Sequence, residues 1–122
     1  TGLVDLDVQY GTSALALDLE AGRGLRQLLE NPERVDPILI ASSMQHESEQ
    51  LYVLSAEDSL EDNILFTGDA VLGVLGELRE ELEWTVIDVP RHMLAPARRL
   101  LTQASAILLL VPPSLAGVRD AN

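Results

Sequence analysis

Three stretches of the chain place polar side chains directly after apolar runs, where chemistry could be done. Asp5 and Asp7 follow Leu3, Val4 and Leu6 near the start. Asp88 follows Trp84–Ile87 and precedes Val89 and Pro90. Ser114 follows the run from Ala106 to Val111 and the pair Pro112, Pro113. If the apolar runs are strands of a parallel sheet, these residues sit at strand carboxyl ends, where such sheets bind ligands. A carboxylate there is costly to desolvate unless it is paired, hydrogen-bonded or beside a cation. One reading is that each acid caps the next helix or accepts backbone N–H bonds. The other is a Mg²⁺ or phosphoryl site, because hard cations take oxygen ligands and acids stand at two ends of one sheet.

The remaining candidates are weaker. His46 and His92 are far apart in sequence and lack acidic partners at metal-ligand spacing, so solvated surface histidines are the simpler reading. Arg91, Arg98 and Arg99 suit a solvated helix face balanced by acids of a neighbouring helix, with a phosphate or partner patch as the alternative. Glu47, Glu49, Glu57, Asp58, Glu61 and Asp62 form an acidic loop, solvated or used for docking a partner. Ser114 has no histidine placed to activate it and reads as a helix N-cap, not a nucleophile. With no cysteine in the chain, disulfides, thiolate metal sites and a cysteine nucleophile are excluded.

These residues need elements to position them. Gly2 to Asp7 reads as a short buried strand. Leu25, Leu28 and Leu29 lie at helical spacing between the glycines at 22 and 24 and the stop at Pro32. A second helix is expected over Val35–Gln45, with Asp36 as N-cap and Pro37 at the first helical position. Leu51–Ser55 reads as a strand. Thr67–Glu83 is the clearest helix, with Val71, Leu72, Leu75, Leu78 and Leu82 in one stripe. Trp84–Val89 reads as a strand closed by Pro90, Pro96–Gln103 as a helix, Ala106–Val111 as a fully apolar strand, and Ser114–Ala121 as the start of a helix. Strands that alternate with helices and read as apolar runs predict an α/β fold: a mostly parallel sheet with helices on both faces.

Composition bounds the function. The chain has 122 residues, 47% of them apolar and 23% charged, an ordinary globular balance. Its length suits a single domain over residues 1–122. Only 3% is aromatic, so the core is left to Leu, Val, Ile and Ala. The formal charge is −12, and all 8 basic residues are Arg. Nucleic acid and anionic membrane surfaces both require a positive footprint, which scattered arginines do not supply. No run approaches the roughly 20 apolar residues of a membrane span, and no charged-then-apolar leader opens the chain.

Taken together, VDLDVQYGTSALALDL and WTVIDVPR resemble two segments of the MinD/ParA group of P-loop ATPases with a deviant Walker A motif. The first is similar to their switch-I segment and the second to their Walker B strand. ASAILLLVPPSLAGVRDAN resembles the strand and helix start that follow. The branch that the text from Val4 to Pro37 and from Glu81 to Ser105 resembles most is that of the pilus-assembly ATPases CpaE and TadZ. The resemblance implies a P-loop NTPase-like fold, here incomplete. The family's glycine-rich P-loop and its lysines are expected upstream of Thr1, and no Lys occurs in this chain. The chain therefore reads as a middle fragment of such an ATPase.

The resemblance implies a role for each matching residue. Asp88 would hold Mg²⁺ through water, and Asp7 would position or deprotonate the attacking water. Asp5 would support the metal shell and switch I, and Pro90 would set the start of switch II. Arg91 stands where other members carry a small residue. The parent would use ATP and Mg²⁺ as an ATP-dependent dimerisation switch that localises or assembles type IV (Flp/Tad) pili. It would work in the cytoplasm, at a pole or a membrane reached through pilus or secretion partners. This chain alone is expected to be inactive, to bind neither cofactor, and to self-associate. Two other readings stay open: a receiver-type signalling domain with Asp88 as phospho-acceptor, and a catalytically inactive scaffold of the same ATPase fold.

Overall fold

A computed structural model describes residues 1–20, 22–56 and 67–121. Strand β1 spans Gly2–Asp5. The short helices α1 (Ser13–Ala16), α2 (Gly24–Glu30) and α3 (Pro37–Ser43) follow, with a 3-10 turn over Pro32–Arg34. Next come β2 (Gln45–His46), β3 (Tyr52–Leu54), α4 (Gly68–Glu81) and β4 (Thr85–Asp88). A 3-10 turn over Arg91–Met93 then leads to α5 (Arg98–Gln103) and α6 (Leu115–Ala121).

The sheet order is β2-β3-β1-β4. β1 pairs in parallel with β3 and β4, and β2 joins the outer edge of β3 antiparallel. The α/β class with a mostly parallel sheet is as expected. Side chains alternate across a sheet, so register sorts them by face. Val4, Leu54 and Ile87 share one face and join Leu25, Leu28, Ile40, Val74 and Leu78 in the core. Leu3, Val53 and Val86 share the other face. Its cover thins across the sheet: Val53 is fully buried, Leu3 is half-buried and Val86 is 55% exposed.

The helix ends are set by local chemistry. Asp36 accepts a hydrogen bond from the Leu39 N–H at 2.7 Å, and Pro37 stands in the first turn of α3, as expected. The Thr67 hydroxyl accepts from the Ala70 N–H at 3.2 Å and starts α4. The stripe that α4 buries is Ala70, Val71, Val74, Leu75 and Leu78, while Leu72 and Leu82 flank it half-buried. Ser114 is a cap, as its setting implies: its hydroxyl accepts from the Gly117 N–H at 3.1 Å, at the start of α6. α3 is shorter than Val35–Gln45, because Gln45 and His46 turn away to form β2.

One expected strand is absent. Residues 106–111 form no strand and pair with nothing in the sheet. Leu108 is 86% and Leu110 83% exposed. An apolar run becomes a strand only where another strand accepts its backbone bonds, and β4 pairs with β1 on one edge alone. Residues 104–114 leave α5 near the carboxyl end of α4, where Arg79 donates to Gln103 at 3.3 Å. They return to α6, where Asp120 accepts from Arg91 at 2.9 Å, just past the end of β4. Residues 106–111 make no ladder with β4. Among the described residues, no helix is long and apolar enough to cross a membrane.

Candidate functional site

The sheet brings Asp5 and Asp88 together. They are register partners at the carboxyl ends of β1 and β4, so both lie in one row and on one face. The ladder continues one bond further, from the Leu6 N–H to the Asp88 carbonyl at 3.0 Å. Asp7 follows on the loop that leaves β1. Exposure separates the three: Asp5 is 1% exposed, Asp7 is half-buried and Asp88 is exposed.

Asp5 spends its carboxylate on the backbone. One oxygen accepts from the Asp7 N–H at 3.0 Å and the other from the Ser13 N–H at 3.2 Å. Asp7 organises the turn after it: its carboxylate accepts from the Tyr10 N–H at 3.1 Å and its carbonyl from the Gly11 N–H at 2.7 Å. Gly11 packs against Asp5 so closely that a Cβ would lie 2.6 Å from the carboxylate. Although Asp88 is exposed as a residue, its carboxyl is held above the ordinary range, chiefly by partial desolvation at the strand end and then by the negative charges of Asp5 and Asp7. Both readings of strand-end acids therefore apply. Asp5 accepts backbone N–H groups, while Asp88 is exposed and its carboxylate has no hydrogen-bond or ion-pair partner among the described residues.

Pro90 ends the extended run at φ −68° and ψ 153°, and its carbonyl accepts from the Met93 N–H at 2.8 Å, closing the 3-10 turn. Arg91 leaves that turn to pair with Asp120, and Arg99 pairs with Asp69 of α4. His46 stands at the far edge of the sheet with its ring edge-on to Tyr52, and His92 is exposed in the turn after Pro90. Glu47 and Glu49 are exposed; Glu57, Asp58, Glu61 and Asp62 lie outside the described residues. Sequence reasoning misses Ser55, which follows β3 directly. It is 6% exposed, and among the described residues its hydroxyl has no hydrogen-bond partner. Only its place after the apolar Val53 and Leu54 could mark it.

No protein-family profile and no curated protein matches this sequence. The fold does have a solved counterpart: the crystal structure of a ParA family ATPase from Chlorobium tepidum TLS superposes with a TM-score of 0.75 over 98% of the chain. The chain shares the fold of part of that ATPase. Identity across the match is 16%, and the chain spans 50% of the length of that ParA protein.

The chemistry of the donors decides which groups the site suits. Among the described residues, no three His, Cys, Asp or Glu side chains converge to hold a metal ion. Mg²⁺ keeps several waters and is commonly bound by one or two carboxylates. The exposed Asp88 fits that mode, and a cation there would offset the charges of Asp5 and Asp7 that add to its raised pKa. The residues of this chain alone do not suit a triphosphate. The three carboxylates repel it, and the sequence offers no Lys to neutralise its oxygens.

Proposed function

We propose that the chain is a segment of a MinD/ParA-like ATPase with a deviant Walker A motif, of the pilus-assembly CpaE/TadZ branch. The observation that supports its ParA-like part is the Asp5–Asp88 register pair, with Asp7 two residues beyond Asp5, at the carboxyl ends of adjacent parallel strands in a fold like that of a ParA family ATPase; the branch rests on the sequence resemblance alone. In this reading Asp88 is the Walker B acid and holds Mg²⁺ through water. The ion would supply charge neutralisation at phosphate oxygens. Asp7 orients or deprotonates the attacking water. Asp5 supports the metal shell and the switch-I loop, and Pro90 begins switch II. The parent protein acts in the cytoplasm as an ATP-dependent dimerisation switch that places or assembles type IV pili with pilus or secretion partners.

The test is ATP turnover by a longer protein that carries these residues. Asp7→Ala should lower turnover and leave nucleotide affinity in place. That is the pattern of a group acting mainly in the transition state. Unchanged turnover would end the assignment of Asp7.

The second reading is an inactive scaffold of the same fold, favoured by Asp5, whose buried carboxylate serves backbone amides. No detectable turnover by the longer protein would select it. The receiver reading gains less. Its strand order also begins second-first-third, as β3-β1-β4 does here, but its fourth strand belongs beside β4, where residues 106–111 do not pair.

A further inference from the structure

We infer that Asp5 is a positioning residue: it holds the loop over residues 6–13 in the shape that presents Asp7 beside Asp88, and Gly11 is the residue that lets it do so. The inference rests on the reading of Asp7 and Asp88 as the working carboxylates. The two amides that Asp5 accepts lie at opposite ends of this loop, Asp7 at its start and Ser13 where α1 begins. One buried side chain thus ties both ends of the loop to β1. At 1% exposure Asp5 leaves no room for the water shell through which a hard cation is held, so its support of the metal shell is indirect, through the loop it holds. Asp7 and Asp88 remain open to such an ion.

Gly11 completes the clamp by what it lacks. A Cβ there would lie 2.5 Å from the Asp7 carbonyl oxygen, 2.6 Å from Oδ2 of Asp5 and 2.8 Å from its carboxyl carbon. None of these can yield cheaply. One is backbone, and the other two belong to a short side chain already fixed by two hydrogen bonds. Its φ is not positive, so the requirement is one of space and not of backbone conformation. A methyl group at residue 11 must move either the buried carboxylate or the turn that carries Asp7.

The test uses the 122-residue chain. Amide hydrogen exchange is followed by NMR in the unmutated protein and in Asp5→Asn, Asp5→Ala and Gly11→Ala, with free Mn²⁺ as a broadening probe. Asp5→Asn keeps one acceptor oxygen, so one of the two amides, Asp7 or Ser13, should stay protected while the other exchanges about tenfold faster or more. Asp5→Ala and Gly11→Ala should release both amides, with those of Leu3 and Val4 unchanged. In Asp5→Ala, Mn²⁺ broadening at residues 7–10 should weaken while that at 88–90 persists. A purely structural residue would not divide the two signals in this way.

Two results would overturn the inference. One is protection of both amides surviving in Gly11→Ala and in either Asp5 variant. The other is loss of Mn²⁺ broadening at 88–90 in Asp5→Asn with both amides still protected, which would make Asp5 a ligand. If the unmutated chain shows no Mn²⁺ broadening near Asp88, the reading of that residue as a metal acid fails, and the exchange rates still decide what Asp5 does. Should Asp5→Ala not fold, Asp5→Asn and Gly11→Ala decide between these outcomes.

Discussion

Asp5 and Asp88 face each other across two parallel strands as register partners, yet one is buried and bonded to backbone amides while the other is exposed. The charge of the first adds to the partial desolvation that governs the titration of the second. Burial, then Asp5, then Asp7 hold the Asp88 carboxyl above its ordinary value of 3.8. A raised acid binds its proton more tightly in the folded than in the unfolded chain, so its ionisation lowers stability as pH rises through that window. Asp88→Asn should therefore raise the melting temperature at pH 7, with the gain shrinking as pH falls through the raised value. Paired melts of the two proteins across pH check this. A gain that grows towards acid would contradict it.

Mg²⁺ should act on the same charge. The ion favours the ionised form of Asp88, so millimolar Mg²⁺ should lower the carboxyl's midpoint in a ¹³C titration and stabilise the chain at neutral pH. Asp88→Asn should lose the stabilisation. In a longer ATPase carrying these residues, the same substitution should weaken the Mg²⁺ dependence of turnover, where Asp7→Ala lowers turnover itself. Equal and negligible effects from both substitutions would point to the scaffold.

Nucleotide should behave differently from the metal. Phosphate oxygens are held by backbone N–H groups of a glycine-rich loop and by a lysine, and the sequence has no Lys. The carboxylates at the strand ends repel a triphosphate. Calorimetry of this chain with Mg-ATP at micromolar protein should show no saturable heat. Tight binding would remove the fragment reading.

The parts of this fold that are legible in the sequence are those set by near neighbours along the chain. Asp36 before Pro37, Thr67 before α4 and Ser114 before α6 sit within a few residues of the amides they cap. The apolar stripe of α4 reads from spacing alone. The acids at two strand ends are visible as types and positions, but their division of labour is not. Asp5 is buried because a loop folds back on it, and that depends on Gly11 and Ser13, six and eight residues away. Strand β2 is two residues long and exists only because β3 offers an edge. Residues 106–111 mislead for the complementary reason: high strand propensity says nothing about whether a partner edge is within reach.

That unpaired run leads to the last prediction, which concerns association. β4 carries backbone N–H and C=O groups on an edge that no described strand covers, with Trp84 at 65% and Val86 at 55% exposure along it. Residues 107–111 add apolar side chains to the exposed surface. Open strand edges and exposed apolar runs both favour pairing with another chain. Residues 85–89 and 106–111 do not close on each other, so self-association is the remedy left. A net charge of −12 opposes it through repulsion between copies, which salt screens. Light scattering should therefore find species larger than a monomer at high protein concentration, and more of them as salt is raised. Val86→Lys on the edge, or Leu108→Glu with Leu110→Glu on the run, should return the chain to monomer without lowering its melting temperature, because these side chains are exposed. An unmutated chain that stays monomeric at high concentration and high salt would show that water alone satisfies the β4 edge.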